Sequence, residues 1–419
     1  MTTNFDTRAA ELDAADPLAA HRAKFFGTDE ATQSSTPGMP LAYFDGNSLG
    51  RPMSASFDRI EAFLRHDWGT RLIRSWDEQW LNLPLELGNK IGAAALGAAP
   101  GQTFVGDSTS VLLYKMARAA IGARPGRTEI VLDTDNFPTD RYLLEGIADE
   151  LNMTLRWIEV DTSSGVTPEQ VSVVVNSNTA LVLLSHVAYR SGYMADAPAI
   201  TKITHDAGAL IVWDLSHSVG SVVVELDKWN VDIAVGCSYK YLCGGPGAPA
   251  WAYVRKDLQT VIEQPIQGWW GTKNMFLMGP GYDPENDLRR FITGTTPVVG
   301  MQAMIDPVEL IGEVSIKAVR AKSLLLTQFV IDYTDEVLAP LGVTVATPRD
   351  PAQRGGHVTL NHPHMREVNA LLWKEDIIPD YRDPHGLRIG LSPLTTSFEE
   401  VFIGMEMVNE TLEKLASSN

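Results

Sequence analysis

The feature that most constrains the fold is a series of short apolar runs that alternate with helix-like segments from about residue 100 onward. The runs lie at 129–133, 154–160, 180–186, 209–213 and 233–236. Helices are expected between them at 140–151 and 197–206. Because the runs are apolar on both faces, they predict strands of a parallel sheet that is covered by helices on both sides. In such an α/β domain the chemistry is expected at the carboxyl ends of the strands.

The chain has 419 residues, which is enough for two domains. We predict an N-terminal segment at 1–65, a large α/β domain at 66–300 and a smaller α+β domain at 301–419. In the last part, an amphipathic stretch at 307–333 predicts one long helix that joins the two domains. Extended pieces are expected at 343–346 and 357–360, and a final helix at 398–415.

Composition excludes several classes of function. Hydrophobic residues make up 44% and charged residues 21%, a balance typical of globular proteins. The formal charge of -18 argues against a nucleic-acid partner, because phosphate binding needs a basic surface. We expect neither a membrane span nor a signal peptide, since no apolar run approaches the ~20 residues of a membrane helix.

Two cysteines indicate a reducing compartment, the cytoplasm by default. His362 and His364 lack further ligands at metal spacing, so we expect no metal site.

Two predicted strand ends carry the residues that most indicate chemistry. Asp214 ends the strand at 209–213, and His217 follows three residues later. Lys240 follows the strand at 233–236 and precedes a glycine-rich turn. An aspartate there can pair with a protonated pyridine nitrogen, and a partly buried lysine can attack an aldehyde. Each residue alone is more often a helix cap or a solvated lysine, but the combination favours a pyridoxal-phosphate site.

Two further segments fit the same cofactor. Gly-Asp-Ser-Thr-Ser at 106–110 precedes a helical run at 111–121, and a helix N-terminus with hydroxyl groups binds a phosphate dianion. A simple helix cap at Ser108 or Thr109 is the alternative. Asn-Phe-Pro-Thr-Asp at 136–140 offers an aromatic ring to stack on a pyridine and a carboxylate for its polar edge, although it could equally be a proline-containing turn.

Motifs in a fixed order carry a resemblance to a known family. They are NFPTD, S-H-V-x-Y-R-S-G, D-L-S-H, G-C-S-Y-K-Y-L-x-G-G-P-G, G-W-W-G and R-x-x-x-G-T-x-P. Together they closely resemble kynureninase, a family of fold-type-I pyridoxal-phosphate enzymes, from GNSLG at 46–50 to the C-terminal domain. The resemblance implies a mostly parallel large domain and a homodimer with active sites at the interface. The segment 1–65 is expected to pack on the small domain and on the dimer partner. The resemblance further implies hydrolysis of L-kynurenine or 3-hydroxykynurenine to anthranilate or 3-hydroxyanthranilate and L-alanine, in tryptophan catabolism.

The resemblance also implies roles for single residues. The expected cofactor contacts are Thr109, Ser110, Phe137, Asp140, Ser185, Asp214, His217, Tyr239, Lys240, Trp269 and Thr295. Thr295 is expected from the partner subunit. The expected catalytic groups are Lys240, Tyr239 and Asp214, and the expected substrate contacts are Arg388, Ser48 and Trp68. An arginine suits a carboxylate because its guanidinium is planar and bidentate.

Other interpretations stay open at this point. GNSLG at 46–50 matches the G-x-S-x-G pattern of serine hydrolases, although no buried strand precedes it. A cysteine-desulfurase-like lyase would need a mobile cysteine, and Cys243 lies close to Lys240 in sequence. A non-catalytic cofactor-binding relative is a third possibility. Thr272 stands where many kynureninases have histidine, and Cys243 where asparagine is frequent, which leaves another γ-keto-α-amino acid open as the substrate.

Overall fold

The computed structural model describes residues 4–29 and 35–418. The α-helices, numbered in chain order, are α1 Phe5–Ala14, α2 Ala19–Arg22, α3 Ser54–Ala62, α4 Leu83–Ile91, α5 Thr109–Gly122, α6 Pro138–Leu151, α7 Pro168–Val174, α8 Ala197–Asp206, α9 Val298–Val314, α10 Ile316–Tyr333, α11 Met365–Leu372 and α12 Phe398–Ser418. The strands are β1 Ala42–Tyr43, β2 Thr103–Val105, β3 Glu129–Asp133, β4 Thr154–Ile158, β5 Thr179–Ser185, β6 Leu210–Asp214, β7 Ile233–Gly236, β8 Trp251–Val254, β9 Thr344–Val345, β10 His357–Asn361, β11 Ile377–Ile378, β12 Asp380–Arg382 and β13 Gly386–Gly390.

A seven-stranded sheet forms the centre of the molecule, in the order β2-β8-β7-β6-β5-β3-β4. The five strands β3 to β7 run parallel, as the sequence predicts, and β8 runs antiparallel to both of its neighbours. In the register, Ser185 lies opposite Asp214, and Asp214 lies opposite Val235. The carboxyl ends of β5, β6 and β7 therefore meet at one edge of the sheet.

The sheet is buried on both faces by helices, which explains its apolar strands. In β6, Ile211 and Trp213 belong to one core cluster, and Leu210 and Val212 belong to the other. The first cluster also contains residues of α4, α8 and α9, and the second contains residues of α5 and α6. A strand buried on both faces needs apolar side chains at consecutive positions, since neighbouring residues point to opposite sides.

The expectation of one long helix at 307–333 is wrong. The structure has two helices, α9 and α10, separated at Ser315, whose φ of 73° lies outside the helical region. The Ser315 hydroxyl accepts a hydrogen bond from the backbone N–H of Ala318, 3.3 Å away, and so caps α10. A serine cap starts a new helix because it satisfies a free N–H group of the first turn.

The C-terminal part contains a four-stranded antiparallel sheet in the order β12-β13-β10-β9. The N-terminal residues pack on this part of the chain: β1 pairs with β11, and Phe5 of α1 packs edge-to-face against Phe329 and Tyr333. The domain boundaries at 65/66 and 300/301 stay predictions. None of the helices in the described ranges is both long and apolar enough to cross a membrane.

Candidate active site

Lys240 lies in a cavity at the carboxyl edge of the central sheet. The lining residues are Thr109, Ser110, Leu113, Phe137, Thr139, Asp140, Asp214, Ser216, His217, Tyr239 and Lys240. The Lys240 side chain is almost buried, with 8% of the residue exposed, and its Nζ lies 5.7 Å from the centre of the Phe137 ring. Eight of the eleven residues expected to contact a cofactor therefore line one cavity.

His217 is the nearest polar neighbour of the Lys240 amine, with 3.3 Å between its Nε2 and the Lys240 Nζ. Burial lowers the pKa of His217 well below its usual value, and the positive charges of Lys240 and Arg388 lower this pKa further. The imidazole is therefore neutral at physiological pH. A neutral imidazole can accept a hydrogen bond from Lys240 at Nε2.

Three carboxyl groups belong to this region: Asp140 and Asp214 line the cavity, and Asp133 is the last residue of β3. Asp140 is buried, and burial followed by the charges of Asp214 and Asp133 raises the pKa of Asp140 well above its usual value. Burial and then Asp135 raise the pKa of Asp133 to about 7. The Oδ2 atom of Asp140 is buried and has no hydrogen-bond partner among the described residues. A cationic N–H group in the cavity would relieve this excess of buried negative charge, so the site fits a protonated pyridine.

The N-terminus of α5 forms another wall of the cavity. Ser108 caps this helix by accepting a hydrogen bond from the Val111 N–H, and Thr109 and Ser110 occupy the first two helical positions. The N–H groups of a first helical turn have no partner within the helix, and the helix dipole favours an anion there. This end of the cavity therefore fits a phosphate group.

Tyr239 lines the cavity and is partly exposed. Burial, followed by the neighbouring Cys237 and Asp214, raises the pKa of the Tyr239 hydroxyl above its usual value. The phenol is therefore protonated at neutral pH and can donate a proton or a hydrogen bond.

Cys237 and Cys243 are both buried, and burial raises the pKa of each thiol, that of Cys243 to about 12. Neither cysteine is the exposed thiolate that a desulfurase-like reaction needs.

Arg388 on β13 is completely buried and makes several short contacts. Its Nη1 donates to the Tyr189 carbonyl at 2.9 Å, its Nη2 donates to Ser48 Oγ at 2.7 Å, and the same Nη2 forms an ion pair with Asp380 Oδ2 at 2.5 Å. Arg388 and Ser48, predicted to bind substrate together, are thus neighbours. A guanidinium cannot take a proton from Ser48, so the GNSLG segment has no base for a serine nucleophile at this contact. Asp380 was not predicted.

Six predicted site residues do not line the Lys240 cavity: Arg388 and Ser48, which contact each other as described above, and Ser185, Trp68, Trp269 and Thr295. Ser185 ends β5 beside Asp214, and its Oγ donates to Asn136 Oδ1 at 2.6 Å. Trp68, Trp269 and Thr295 are exposed elsewhere, and Trp68 and Thr295 line a separate apolar groove with residues that include Trp76 and Trp80. Within a single chain, therefore, the structure does not bring these three residues to Lys240.

Three residues line the cavity without having been predicted. Thr139 and Ser216 lie inside the NFPTD and D-L-S-H motifs, so the motifs themselves were the available signal. Leu113 lies four residues after Thr109, where a helical period brings it to the same face of α5. Among the described residues, no group of three or more His, Cys, Asp or Glu side chains is placed to hold a metal ion.

Comparison with known proteins decides the family. The model of the Kynureninase C-terminal domain matches residues 319–408. The chain is 38% identical to the kynureninase of Pseudomonas fluorescens, over 99% of this chain and 96% of that protein. It is 37% identical to the kynureninase of Burkholderia pseudomallei (strain 1106a), over 97% of this chain and 95% of that one. The chain belongs to the kynureninase family. The cavity around Lys240 is thus the candidate active site of a kynureninase-family protein.

Solved structures confirm the predicted fold-type-I architecture. The cysteine desulfurase of Thermococcus onnurineus NA1 superposes with a TM-score of 0.75 at 20% identity, covering 89% of this chain and 95% of that one. A mutant of C-DES with glycine covalently linked to its PLP cofactor superposes with a TM-score of 0.80 at 16% identity, covering 93% and 99%. At such low identity the likeness shows the fold alone. The kynureninase relationship rests on the sequence comparisons.

Proposed function

We propose that this protein is a pyridoxal-phosphate-dependent hydrolase that cleaves the Cβ–Cγ bond of L-kynurenine or 3-hydroxykynurenine. The products would be anthranilate or 3-hydroxyanthranilate and L-alanine, a step of tryptophan catabolism. One observation carries the proposal: Lys240, Asp214 and the N-terminus of α5 share a single cavity in a chain that matches kynureninases over nearly its whole length.

The cavity offers one group for each part of the cofactor. Lys240 would bind the aldehyde carbon, Asp214 the pyridine nitrogen, and Phe137 one face of the ring. Thr109 and Ser110 would hold the phosphate at the start of α5. When bound, pyridoxal phosphate supplies an electron sink for the negative charge that develops at the substrate Cα.

The protein groups around this sink would handle the protons. Lys240 Nζ is the group placed to remove the proton from the substrate Cα, and the neutral His217 beside it can hold the amine in position. The protonated Tyr239 is our candidate acid at the departing acyl group. Arg388 and Ser48 would hold the α-carboxylate. Water then supplies the oxygen of the released aromatic acid.

We also propose that two chains form a dimer in which Trp68, Trp269 and Thr295 reach the partner's cavity. The groove that contains Trp68 and Thr295 is apolar, and Trp68 is 55%, Ile73 74% and Val299 45% exposed. An exposed apolar surface of this kind is typical of a protein interface.

The two cysteines are free thiols, which supports a reducing compartment, and we place the protein in the cytoplasm.

A charge in the groove would test this dimer. Val299→Asp should lower the mass measured by light scattering to that of one chain, because the interface would bury an unpaired carboxylate. Val173→Asp is the matched control, since Val173 is 84% exposed on α7, away from the groove. If Val299→Asp stayed dimeric, or if the unmodified protein were monomeric, the proposed interface would be wrong.

The activity itself is tested with the purified full-length protein and added pyridoxal phosphate. We expect a new visible absorbance, the fluorescence of anthranilate from L-kynurenine, and one alanine for each anthranilate. The panel should include 3-hydroxykynurenine, aliphatic γ-keto-α-amino acids and, as a desulfurase control, L-cysteine. Sulfide release without alanine formation from any γ-keto acid would contradict the proposal.

Thr272 provides a test of substrate preference. Its hydroxyl donates to the Asp283 carbonyl at 2.9 Å, and it lines an exposed cavity with Trp269 instead of the Lys240 cavity. If this loop lies near the far end of a substrate in the partner's site, Thr272→His should change the ranking of the three substrate types. An equal effect on every substrate would assign Thr272 to the turn alone.

A further inference from the structure

Lys115 is a buried lysine that the proposed chemistry does not use. It lies on α5, six residues after Thr109, and its side chain has no exposed surface. Its Nζ donates to Asp107 Oδ2 at 2.9 Å and to the Phe291 carbonyl at 2.5 Å. Burying an ammonium group is costly unless it is paired and hydrogen-bonded. Both of its partners lie in segments that bear on the candidate active site.

The first partner belongs to the loop that begins α5. Asp107 directly precedes the cap residue Ser108, and its φ of 50° is unusual for a residue with a side chain. Its carbonyl accepts a hydrogen bond from the Ala250 N–H at 3.0 Å. Asp107 comes two residues before Thr109, where the helix proposed to hold the phosphate begins, and an unpaired carboxylate near that helix end would repel a phosphate dianion. Lys115 pairs with this carboxylate and thereby ties it to α5.

The second partner belongs to the segment that leads to Thr295. The Phe291 ring stacks against Phe104 with 6.2 Å between the ring centres. Two residues later, the Thr293 backbone packs so closely on Gly268 that a Cβ atom there would lie 1.6 Å from the Thr293 carbonyl oxygen. This contact fixes the chain next to Trp269. Lys115 therefore connects the loop before α5 with the surface that carries Trp269 and Thr295.

We propose that Lys115 is a positioning residue for the phosphate of the cofactor. It does not touch the cofactor; it fixes Asp107, and thereby the free N–H groups at the start of α5, in the arrangement that a phosphate needs. The inference rests on the proposed function, since it requires a phosphate at this helix end. It adds a buried ion pair behind the site to the groups that line the cavity.

The test compares a ligand that has the phosphate with one that lacks it. Lys115→Met keeps the length of the side chain and removes its charge. In spectroscopic titrations of the cofactor-depleted full-length protein, the dissociation constant of pyridoxal phosphate should rise roughly 10- to 100-fold, the range expected for a lost hydrogen bond to a charged group. The dissociation constant of pyridoxal should stay within about threefold.

Lys322 offers a matched control for loss of a buried lysine. Lys322 and Asp16 are both buried and form an ion pair at 2.6 Å. Lys322 lies on α10, outside the Lys240 cavity. Lys322→Met should lower stability but leave the ratio of the two dissociation constants unchanged. Lys115→Gln, which keeps a hydrogen-bond donor but no charge, is measured as well and should change the ratio in the same direction. It provides the test if Lys115→Met does not fold.

The outcomes distinguish the two proposals. If the unmodified protein binds pyridoxal as tightly as pyridoxal phosphate, the phosphate site in the proposed function fails. If the unmodified protein discriminates strongly and the Lys115 variants discriminate equally well, the role of Lys115 is overturned. A loss of affinity that is equal for both ligands would also overturn it, since that result indicates a general structural defect.

Discussion

Replacing Arg388 by lysine would separate recognition of the substrate from the structural role of the same side chain. The guanidinium contacts Tyr189, Ser48 and Asp380 within one buried cluster. Alanine would remove the ion pair with Asp380, whose carboxylate would keep its contact to Arg382 at 2.8 Å. Removing one partner of a buried ion pair costs about 3–5 kcal/mol of stability, so Arg388→Ala would confuse misfolding with lost binding. Lysine keeps the positive charge but loses the planar fork.

The expected magnitudes follow from these contacts. Lysine can replace the contact to Asp380 but not the bonds to both Tyr189 and Ser48, so we expect the free energy of unfolding to fall by about 1–2 kcal/mol. Loss of the bidentate contact to the α-carboxylate should cost about 2 kcal/mol in the transition state, roughly a 30-fold drop in kcat/KM. Because every candidate substrate carries this carboxylate, the drop should be equal for all of them.

The assay measures kcat/KM for L-kynurenine, 3-hydroxykynurenine and an aliphatic γ-keto analogue, together with urea unfolding of each variant. Arg382→Lys is the matched control, because Arg382 also contacts Asp380 but is not assigned to the substrate. The carboxylate role would be refuted if Arg388→Lys lost stability while kcat/KM stayed within about threefold for all substrates. An effect confined to one substrate would refute it as well.

Three further predictions concern single residues. Lys240→Ala should abolish the visible absorbance and nearly all turnover. If borohydride still reduced this variant to a stable covalent adduct of protein and cofactor, another residue would carry the covalent bond. Asp214→Asn should retain the cofactor but lose most of the rate, whereas a rate within about threefold of the unmodified protein, a change under 1 kcal/mol, would make Asp214 a structural cap. His186 is buried, and burial lowers its pKa to about 4. In the unfolded chain it binds a proton at a higher pH, near 6.5, so protonation favours the unfolded state. The stability that the neutral His186 contributes is therefore lost as the pH falls below about 6.5. The stability difference between the unmodified protein and His186→Gln should therefore shrink by about 2 kcal/mol between pH 7 and pH 5 in urea unfolding, and an unchanged difference would contradict a neutral His186.

The parallel strands could be predicted because each is buried on both faces and therefore has apolar side chains at consecutive positions. The bounds of Glu129–Asp133 and Ile233–Gly236 agree with the prediction, since each run is apolar on both faces and ends at polar or glycine positions. The direction of β8 could not be predicted, because a four-residue apolar strand carries no signal of its orientation. The break at Ser315 was missed because apolar periodicity continues on both sides of it, and a single serine cap does not interrupt that pattern.

The cavity could be predicted for the same reason as the strands. Phe137, Asp214 and Lys240 each follow a strand whose end the sequence shows, and neighbouring parallel strands place those ends side by side. The contacts of Arg388 with Asp380, and of Lys115 with Phe291, could not be inferred in this way. Asp380 and Arg388 lie opposite each other on the short strands β12 and β13, which the sequence analysis did not predict. Lys115 reaches from α5 to Phe291 in a short irregular turn, where no period in the sequence fixes the contact.

The remaining predicted residues bear on the proposed dimer. Trp68, Trp269 and Thr295 are predicted to contact the cofactor or substrate, yet in the single chain they are exposed and outside the Lys240 cavity. Exposed tryptophans of a soluble monomer would be unfavourable, whereas in a symmetric dimer the same residues can complete the partner's cavity. Lys115 would then act on both sites, because one of its bonds holds the loop at its own cavity and the other holds the segment that reaches the partner. In the proposed dimer, a change at this buried lysine would therefore affect each active site twice, once from its own chain and once from the partner chain.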